Sequence, residues 1–321
     1  MINSEINDIS EILSFSSKKD HSCKFFEYSE PWWSVVETHP SEHLVKPSPE
    51  LIKKYLHTYP DIFLRFRTAI DFQGEIHHIN EDSNDVICSP RPECVDVLSN
   101  YIKSIDDTFN NLVIAGSDHS LSENIDMLRS IKHRFRKIYY EAKDIECNWV
   151  QTIPMGMVMA YMLRSGGNDI LSQINKQKSK TKLIASAFGS RYPLLTERIS
   201  DRSELKKFTS DCKFMDDMFC EPHMFYKHLC DYKFFASPLG NGLQTPKICE
   251  SIMCETVPVV TDHIVHRELR DVYELPLLIV NKWTDITEEF LNDQWNSKYS
   301  GINWVTQKSK FLVNNFDKLL I

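Results

Sequence analysis

The segment Tyr232–Val260 constrains the fold of this chain more than any other stretch of it. Phe234–Ala236 is a short apolar run that predicts a buried strand. Residues 240–242 read Gly-Asn-Gly, which predicts a loop, because glycine adopts backbone conformations that other residues avoid. Thr245 followed by Pro246 predicts a helix start, with threonine as the N-cap and proline at the first helical position. The segment is therefore predicted to run strand, loop, helix and strand again.

A glycine loop that leads into a helix N-terminus predicts an anion site. The first N–H groups of a helix have no partners within it, and together with the helix dipole they favour a negatively charged ligand. Glu250 lies about a turn and a half into the predicted helix. Its carboxylate is able to accept hydrogen bonds from vicinal hydroxyls such as those of a ribose. The segment thus indicates a nucleotide site.

Strand-like and helix-like segments alternate along much of the chain, which predicts the α/β class. Asn111–Gly116 is a clear buried strand, Ser122–His133 the helix after it, and Leu183–Phe188 restarts the alternation. This order predicts parallel sheets with helices on both faces and ligands beyond the carboxyl ends of the strands. The polar stretch 166–182 predicts a linker. We expect an N-terminal domain at 1–165, a C-terminal domain at 183–306, and a C-terminal helix at 307–321 that packs back on the first domain.

The composition argues against several classes of protein. The net charge is −8 and no sustained basic run occurs, which argues against a general nucleic-acid binder. The N-terminus lacks the basic residues and apolar core of a signal peptide, and no apolar run reaches the roughly 20 residues of a membrane span. The nine cysteines include no CxxC pair, so we expect reduced core thiols. These observations predict a soluble, cytoplasmic protein.

Three runs in the second half of the chain carry a family resemblance. Lys233–Glu250, Glu255–Val260 and Leu275–Trp283 are similar to the patterns K-F-x-x-S-P-x-G-N-G-x-D-x-H-R-x-W-E, G-x-I-P-I-V and L-P-x-L-I-V-x-x-W of the exostosin-like glycosyltransferases. A thinner similarity to the small soluble members of that family, including those of algal viruses, covers Asn111–Ser120 and Ile153–Gly156. The chain departs from the patterns where the family has His-Arg, Trp and Gly: these positions hold Pro246-Lys247, Cys249 and Glu255.

The resemblance implies a GT-B fold, in which two Rossmann-like α/β domains face a central cleft. It implies an inverting transfer of a sugar from a nucleotide sugar, with a UDP-sugar expected, to a hydroxyl of a glycan acceptor bound by the N-terminal domain. Glu250 stands where the family keeps its ribose-binding glutamate. Lys247 keeps a positive charge but lacks the guanidinium fork of arginine. The residues expected to contact the donor are Ser237, Pro238, Gly240, Asn241, Gly242, Lys247, Glu250, Arg198 and Arg202.

The reaction needs stabilisation of the departing diphosphate, which many transferases supply with a metal held by Asp-x-Asp. This chain has no Asp-x-Asp, so we expect a metal-independent site without a cofactor. The diphosphate would contact the glycine loop, the helix N-terminus and a cation. Arg198 and Arg202 are the candidates, because residues four apart share one helix face. Arg191 and Lys247 are the alternatives.

The reaction also needs a general base that takes the proton of the acceptor hydroxyl. Asp118 is the first candidate, because it follows a predicted strand directly, although an N-cap role is equally typical of that place. Asp71 is the second candidate, and His119 and Glu75 are further alternatives.

Two other functions stay open from the sequence. The departures from the family patterns also fit a non-catalytic carbohydrate-binding protein with a degenerate donor site, and the alternation fits another nucleotide-dependent α/β enzyme. His263, His266 and Asp262 have a loose metal-like spacing, for which surface or capping roles are the more frequent use. Trp283 is expected in the core more than against a sugar ring.

Overall fold

A computed structural model describes residues 65–70, 74–116, 119–156, 179–187, 196–218, 220, 224–240, 243–311 and 320. For residues 196–199 it describes the backbone but not the side chains. The chain divides into two compact units, each built on its own sheet. Both sheets are rich in parallel strands, which confirms the predicted α/β class. Several predicted positions lie outside the described residues or side chains: Asp71, Asp118, Arg191, Arg198, Asn241 and Gly242.

The first unit contains a six-stranded sheet in the order β2-β1-β3-β4-β5-β6. Its strands are β1 (Thr68–Ile70), β2 (Ile76–His78), β3 (Asp85–Cys88), β4 (Phe109–Ile114), β5 (Phe135–Tyr140) and β6 (Val150–Thr152). β2 is antiparallel to β1, and the other neighbouring pairs are parallel. The predicted strand at Asn111–Gly116 is thus confirmed as β4.

Two helices connect the central strands of the first unit: α1 (Pro92–Ser104) and α2 (Leu121–Ile131). They pack against each other through buried apolar residues that include Leu98 and Leu128. α2 begins at a capping box, in which Ser120 N donates to Glu123 Oε1 at 2.9 Å. The helix predicted over Ser122–His133 is confirmed, with its start one residue earlier.

The second unit contains a five-stranded sheet in the order β11-β10-β9-β7-β8, and all four neighbouring pairs are parallel. The strands are β7 (Lys182–Ser186), β8 (Met215–Asp217), β9 (Tyr232–Ala236), β10 (Val257–Thr261) and β11 (Leu278–Val280). Its α-helices, within the residues that the structure describes, are α3 (Thr196–Asp211), α4 (Phe225–Leu229), α5 (Pro246–Met253), α6 (Ile264–Asp271), α7 (Glu288–Gln294) and α8 (Trp304–Ser309).

Helices cover both faces of the second sheet, as the sequence predicts. On one face Phe234 packs in a buried cluster with Leu205 of α3 and with Trp283. On the other face Phe235 contacts Phe225 of α4, with ring centroids 5.9 Å apart. None of the described helices is long and apolar enough to cross a membrane.

The order of the second sheet has a consequence for ligand binding. From β7 the chain moves outward to β8, then crosses back to β9 and continues through β10 to β11. The direction of winding therefore reverses between β7 and β9, which lie side by side. In open parallel sheets such a reversal opens a crevice beyond the carboxyl ends of the two strands, and ligands bind there. The loop after β9 borders this crevice.

Candidate functional site

The loop after β9 begins at Ser237, whose backbone N donates to Val259 O at 2.8 Å. Pro238, Leu239 and Gly240 follow, and all four residues are buried. The hydroxyl of Ser237 has no hydrogen-bond partner among the residues that the structure describes. The loop therefore leaves β9 along the sheet edge and brings the buried hydroxyl of Ser237 to the end of the strand.

The peptide groups on both sides of Leu239 are held by two consecutive residues of α3. Its N–H donates to Asp201 Oδ2 at 2.7 Å, and its carbonyl oxygen accepts from Arg202 Nε at 2.8 Å. α3 leads away from β7 and the loop from β9, so these bonds join the two segments that border the crevice. Arg202, expected as the cation for a diphosphate, uses its Nε to fix this loop.

Asp201 has a further donor at the same edge of the sheet. Its Oδ1 accepts from Trp283 Nε1 at 2.8 Å. Burial raises the pKa of Asp201, and the bonds from Leu239 and Trp283, together with the nearby side chain of Thr261, oppose that rise. Trp283 is 1% exposed, so the expected core role is confirmed and this ring is unable to stack on a sugar.

The start of α5 follows the sequence prediction. Thr245 is the N-cap and its side chain accepts from Lys247 N at 3.4 Å, with Pro246 at the first helical position. Leu243 and Gln244, which precede the cap, are buried. The helix N-terminus, the positive end of its dipole, thus lies at the end of the loop. Its first-turn N–H groups are occupied within the chain, because Pro246 has none, Lys247 N donates to the Thr245 side chain and Ile248 N donates to Thr245 O.

Glu250 of α5 is 0% exposed, and both of its oxygens are hydrogen-bonded. Oε1 accepts from the hydroxyl of Tyr226 at 3.1 Å, and Oε2 accepts from Lys247 Nζ at 2.7 Å. Lys247 Nζ also lies 3.7 Å from the centroid of the Phe225 ring. The resulting cluster, here called the Glu250 cluster, consists of Glu250, Lys247, Tyr226 and Phe225 and joins α5 to α4.

Exposure within the Glu250 cluster shows which bond a ligand is able to replace. Tyr226 is 1% exposed, and burial, followed by the charge of Glu250, raises its pKa far above the ordinary value, so its hydroxyl stays protonated. The side chain of Lys247 is 26% exposed. Oε2 is therefore the oxygen of Glu250 whose partner reaches solvent, and Oε1 is the one whose partner does not.

Glu255 is one of the departures from the exostosin-like patterns, and its backbone conformation is described by the structure. It stands at the position of a family glycine, and its φ is 60°, in the left-handed region that glycine favours. Its carboxylate accepts from Lys308 Nζ at 2.7 Å. The backbone conformation expected of a glycine is therefore kept here by a glutamate.

The other predicted residues serve local structure where they are described. His119 Nδ1 is 2.8 Å from Glu123 Oε2, in the first turn of α2, and Glu75 is exposed. His263 accepts from Val265 N and caps α6, as the capping interpretation predicts. His266 is fully buried, with Nδ1 at 2.8 Å from Thr261 O. Among the described residues no group of three or more His, Cys, Asp or Glu is arranged to hold a metal.

Three residues of this site were missed by the sequence analysis: Asp201, Tyr226 and Phe225. Asp201 directly precedes a predicted arginine on the same helix, but nothing local distinguishes it from an exposed helix carboxylate. Tyr226 and Phe225 lie in a short helix without a strong pattern. Their roles depend on contacts that span 38 residues for Asp201 with Leu239 and 24 for Tyr226 with Glu250.

Comparison with known protein families finds no family model that matches this chain, and comparison with curated proteins finds no match.

Proposed function

We propose that this protein is an inverting glycosyltransferase that moves a sugar from a nucleotide sugar, a UDP-sugar in the first instance, to a hydroxyl of a glycan acceptor. The proposal includes a GT-B arrangement of the two units and donor binding in the second. One observation carries it: the loop Ser237–Gly240 borders the crevice between β7 and β9 and leads to the N-terminus of α5, which holds Glu250. The similarity of these same residues to the exostosin-like patterns supports the chemistry.

In this proposal the second unit stabilises the leaving group without a metal. The backbone N–H groups of the glycine loop and the positive end of the α5 dipole bind the diphosphate, whose charge increases as the sugar departs. Lys247 leaves Glu250 when the ribose binds and adds its positive charge to the diphosphate site. Glu250 then accepts hydrogen bonds from the ribose hydroxyls. The acceptor proton goes to a base in the first unit, for which Asp118 is the first candidate and Asp71 the second.

Calorimetric titration of UDP in the presence of EDTA tests the donor site. The variant Glu250→Gln keeps the size of the side chain and a carbonyl oxygen for Tyr226, but weakens its acceptance of ribose hydroxyls. Hydrogen bonds to charged groups contribute about 1.5–3 kcal/mol, so we expect affinity to fall about ten-fold or more. Glu289→Gln, on an exposed residue of α7, is the matched control and keeps native affinity.

Three results would count against this site. Equal UDP affinity in the native chain and Glu250→Gln removes Glu250 from it, and binding that disappears with EDTA contradicts metal independence. If neither UDP nor GDP binds to the native chain, the donor site itself is rejected. Turnover of a UDP-sugar in the native chain, and its loss in Asp118→Asn with UDP binding intact, would support Asp118 as the base.

A carbohydrate-binding protein without donor chemistry is the second candidate, and one observation favours it. Both oxygens of Glu250 are already bonded to side chains of this chain, so a nucleotide has to displace Lys247 before the ribose binds. This candidate predicts glycan binding by the native chain with no measurable UDP affinity. The same titration therefore separates the two functions.

A further inference from the structure

We propose that Asp201 is a positioning residue that fixes the main chain of the loop after β9 in the conformation that binds the diphosphate. This inference rests on the proposed function for its ligand. The sequence resemblance assigns no role to Asp201, whose contacts in the structure are the basis of this inference.

The Asp201 carboxylate is hydrogen-bonded to two segments that follow strands of the second sheet: Leu239 after β9 and Trp283 after β11. Its own helix, α3, is the one that leads away from β7. One carboxylate thus connects segments that follow three of the strands, at the edge of the sheet where the crevice opens.

The carboxylate of Asp201 is buried and depends on its hydrogen-bond donors. Asp201 is 8% exposed, and a buried carboxylate is tolerated only when donors satisfy it. Leu239 N–H and Trp283 Nε1–H donate to different oxygens, so both oxygens are engaged. An amide in place of the carboxylate supplies one acceptor oxygen and one NH₂, which is a donor. It is therefore unable to accept from both groups, and one of these bonds is lost.

The bonds of Asp201 and Arg202 to Leu239 also affect ligand binding. Arg202 holds the carbonyl of Leu239 while Asp201 holds its N–H, so the peptide groups on both sides of this residue are fixed. Leu239 directly precedes Gly240, the first glycine of the loop. Backbone N–H groups bind an anion well only when they are ordered before it arrives, because ordering them afterwards costs free energy. Loss of the contact at Leu239 is therefore expected to weaken diphosphate binding.

The test compares Asp201→Asn with Asp211→Asn, the same substitution at an exposed position of the same helix. Amide hydrogen exchange reports the bond at Leu239, and the ¹H–¹⁵N signal of the Trp283 indole reports the other oxygen. We expect Asp201→Asn to fold, to lose protection at Leu239 or to shift the Trp283 signal, and to bind UDP about ten-fold or more weakly. Asp211→Asn is expected to match the native chain in all three measurements.

Native UDP affinity in a folded Asp201→Asn variant that has lost the Leu239 bond overturns the proposal. If the amide keeps that bond and loses only the one to Trp283, Asp201→Ala, which has no acceptor, is judged by the same criterion. If Asp201→Asn does not fold, the native chain still decides, because a Leu239 amide that exchanges as fast as exposed loop amides rules out the contact. A native chain that binds neither UDP nor GDP rejects the proposed function and, with it, the ligand of this inference. In that case the Leu239 and Trp283 measurements show separately whether Asp201 orders the loop.

Discussion

His266 shows at the scale of a single residue how burial determines protonation. It is 0% exposed, and burial lowers its pKa to about 4, although the bond to Thr261 O acts in the opposite direction. The side chain is therefore neutral at physiological pH. An unfolded histidine has a pKa of about 6.5, so the unfolded chain binds more protons between these two values.

The pKa of His266 leads to a prediction about acid stability. The free energy of unfolding should fall as the pH decreases from about 6.5 to about 4, with a contribution from His266 of about 3 kcal/mol. In His266→Gln the decrease over this range should be smaller by about that amount, whatever the variant's stability at neutral pH. Urea unfolding of the native chain and of the variant at several pH values measures this decrease in the free energy of unfolding. The exposed control His133→Gln should keep the native pH dependence, and an unchanged dependence in His266→Gln would contradict the pKa.

Glu255 carries a second prediction at this scale, because its φ of 60° is unfavourable for residues with a Cβ atom. β-branched residues tolerate this region least, so Glu255→Val should lower the free energy of unfolding by about 2 kcal/mol or more. Glu255→Gly relieves the strain but loses the bond to Lys308 and makes the unfolded chain more flexible, so it should stay within about 1 kcal/mol of native.

Urea unfolding of both variants at neutral pH measures the difference. Val272→Gly and Val272→Ala, at an exposed position with φ of −90°, show the ordinary effect of side-chain removal without a left-handed backbone. Equal stability of the valine and glycine variants at position 255 would mean that this backbone is not strained.

At the scale of elements, the Glu250 cluster links α5 to α4. Glu250 is buried, so the removal of Lys247 leaves a buried carboxylate with Tyr226 as its remaining partner in the cluster. Breaking such a pair usually costs about 3–5 kcal/mol, and the partial exposure of Lys247 favours the low end of that range. Lys247→Met should therefore destabilise the second unit by about 3 kcal/mol.

A double-mutant cycle tests this interpretation. In Lys247→Met with Glu250→Gln the buried side chain is neutral, so the double variant should be more stable than the sum of the two single effects predicts. Urea unfolding of the four proteins gives the coupling free energy, expected at about 1–3 kcal/mol. Lys227→Met, on an exposed residue of α4, controls for the loss of a lysine. Additive effects would show that the two side chains do not interact.

The elements themselves were largely predictable, because their signals are local. The apolar run of β9 and the Thr245-Pro246 start of α5 both gave the observed structure. The linker predicted over 166–182 lies mostly outside the described residues. At its end β7 begins at Lys182, and Lys180 is half-buried with its Nζ on the carbonyls of Cys230 and Cys254 at 2.8 and 2.6 Å. In a sequence, a lysine within a polar stretch is typical of a linker. Only tertiary contacts show that the ammonium group of Lys180 is hydrogen-bonded inside the fold.

At the scale of the whole molecule, the order of the strands was not predictable from the alternation. Strand and helix signals along β7 to β11 show that a parallel sheet forms, but not that β8 lies at its edge. That placement creates the reversal of winding between β7 and β9. The first sheet has the same order, with β2 outside β1 and β3 on the other side of β1, but there β2 is antiparallel to β1, whereas β8 is parallel to β7. The crevice rule concerns parallel crossovers, so topology favours the second unit as the place for the donor.

This difference between the units leads to a prediction about where a nucleotide stabilises the chain. A ligand that binds the folded state alone, at a free concentration of 100 times its Kd, stabilises it by about 2.7 kcal/mol. Amides of β9 and β10 that exchange through unfolding of the second unit should then exchange about 100-fold more slowly with UDP and EDTA present. Amides of β4 in the first unit should keep their rates. Residue-resolved hydrogen exchange measures both sets at once.

Glu250→Gln at the same UDP concentration is the control, because it keeps both sheets while it weakens the proposed ribose contact. In this variant β9 and β10 should show markedly less slowing. Equal slowing of β4, β9 and β10 in the native chain would mean that the nucleotide stabilises both units together, so the donor would not be bound by the second unit alone. Slowing of β4 alone would contradict the assignment of the donor to the crevice between β7 and β9.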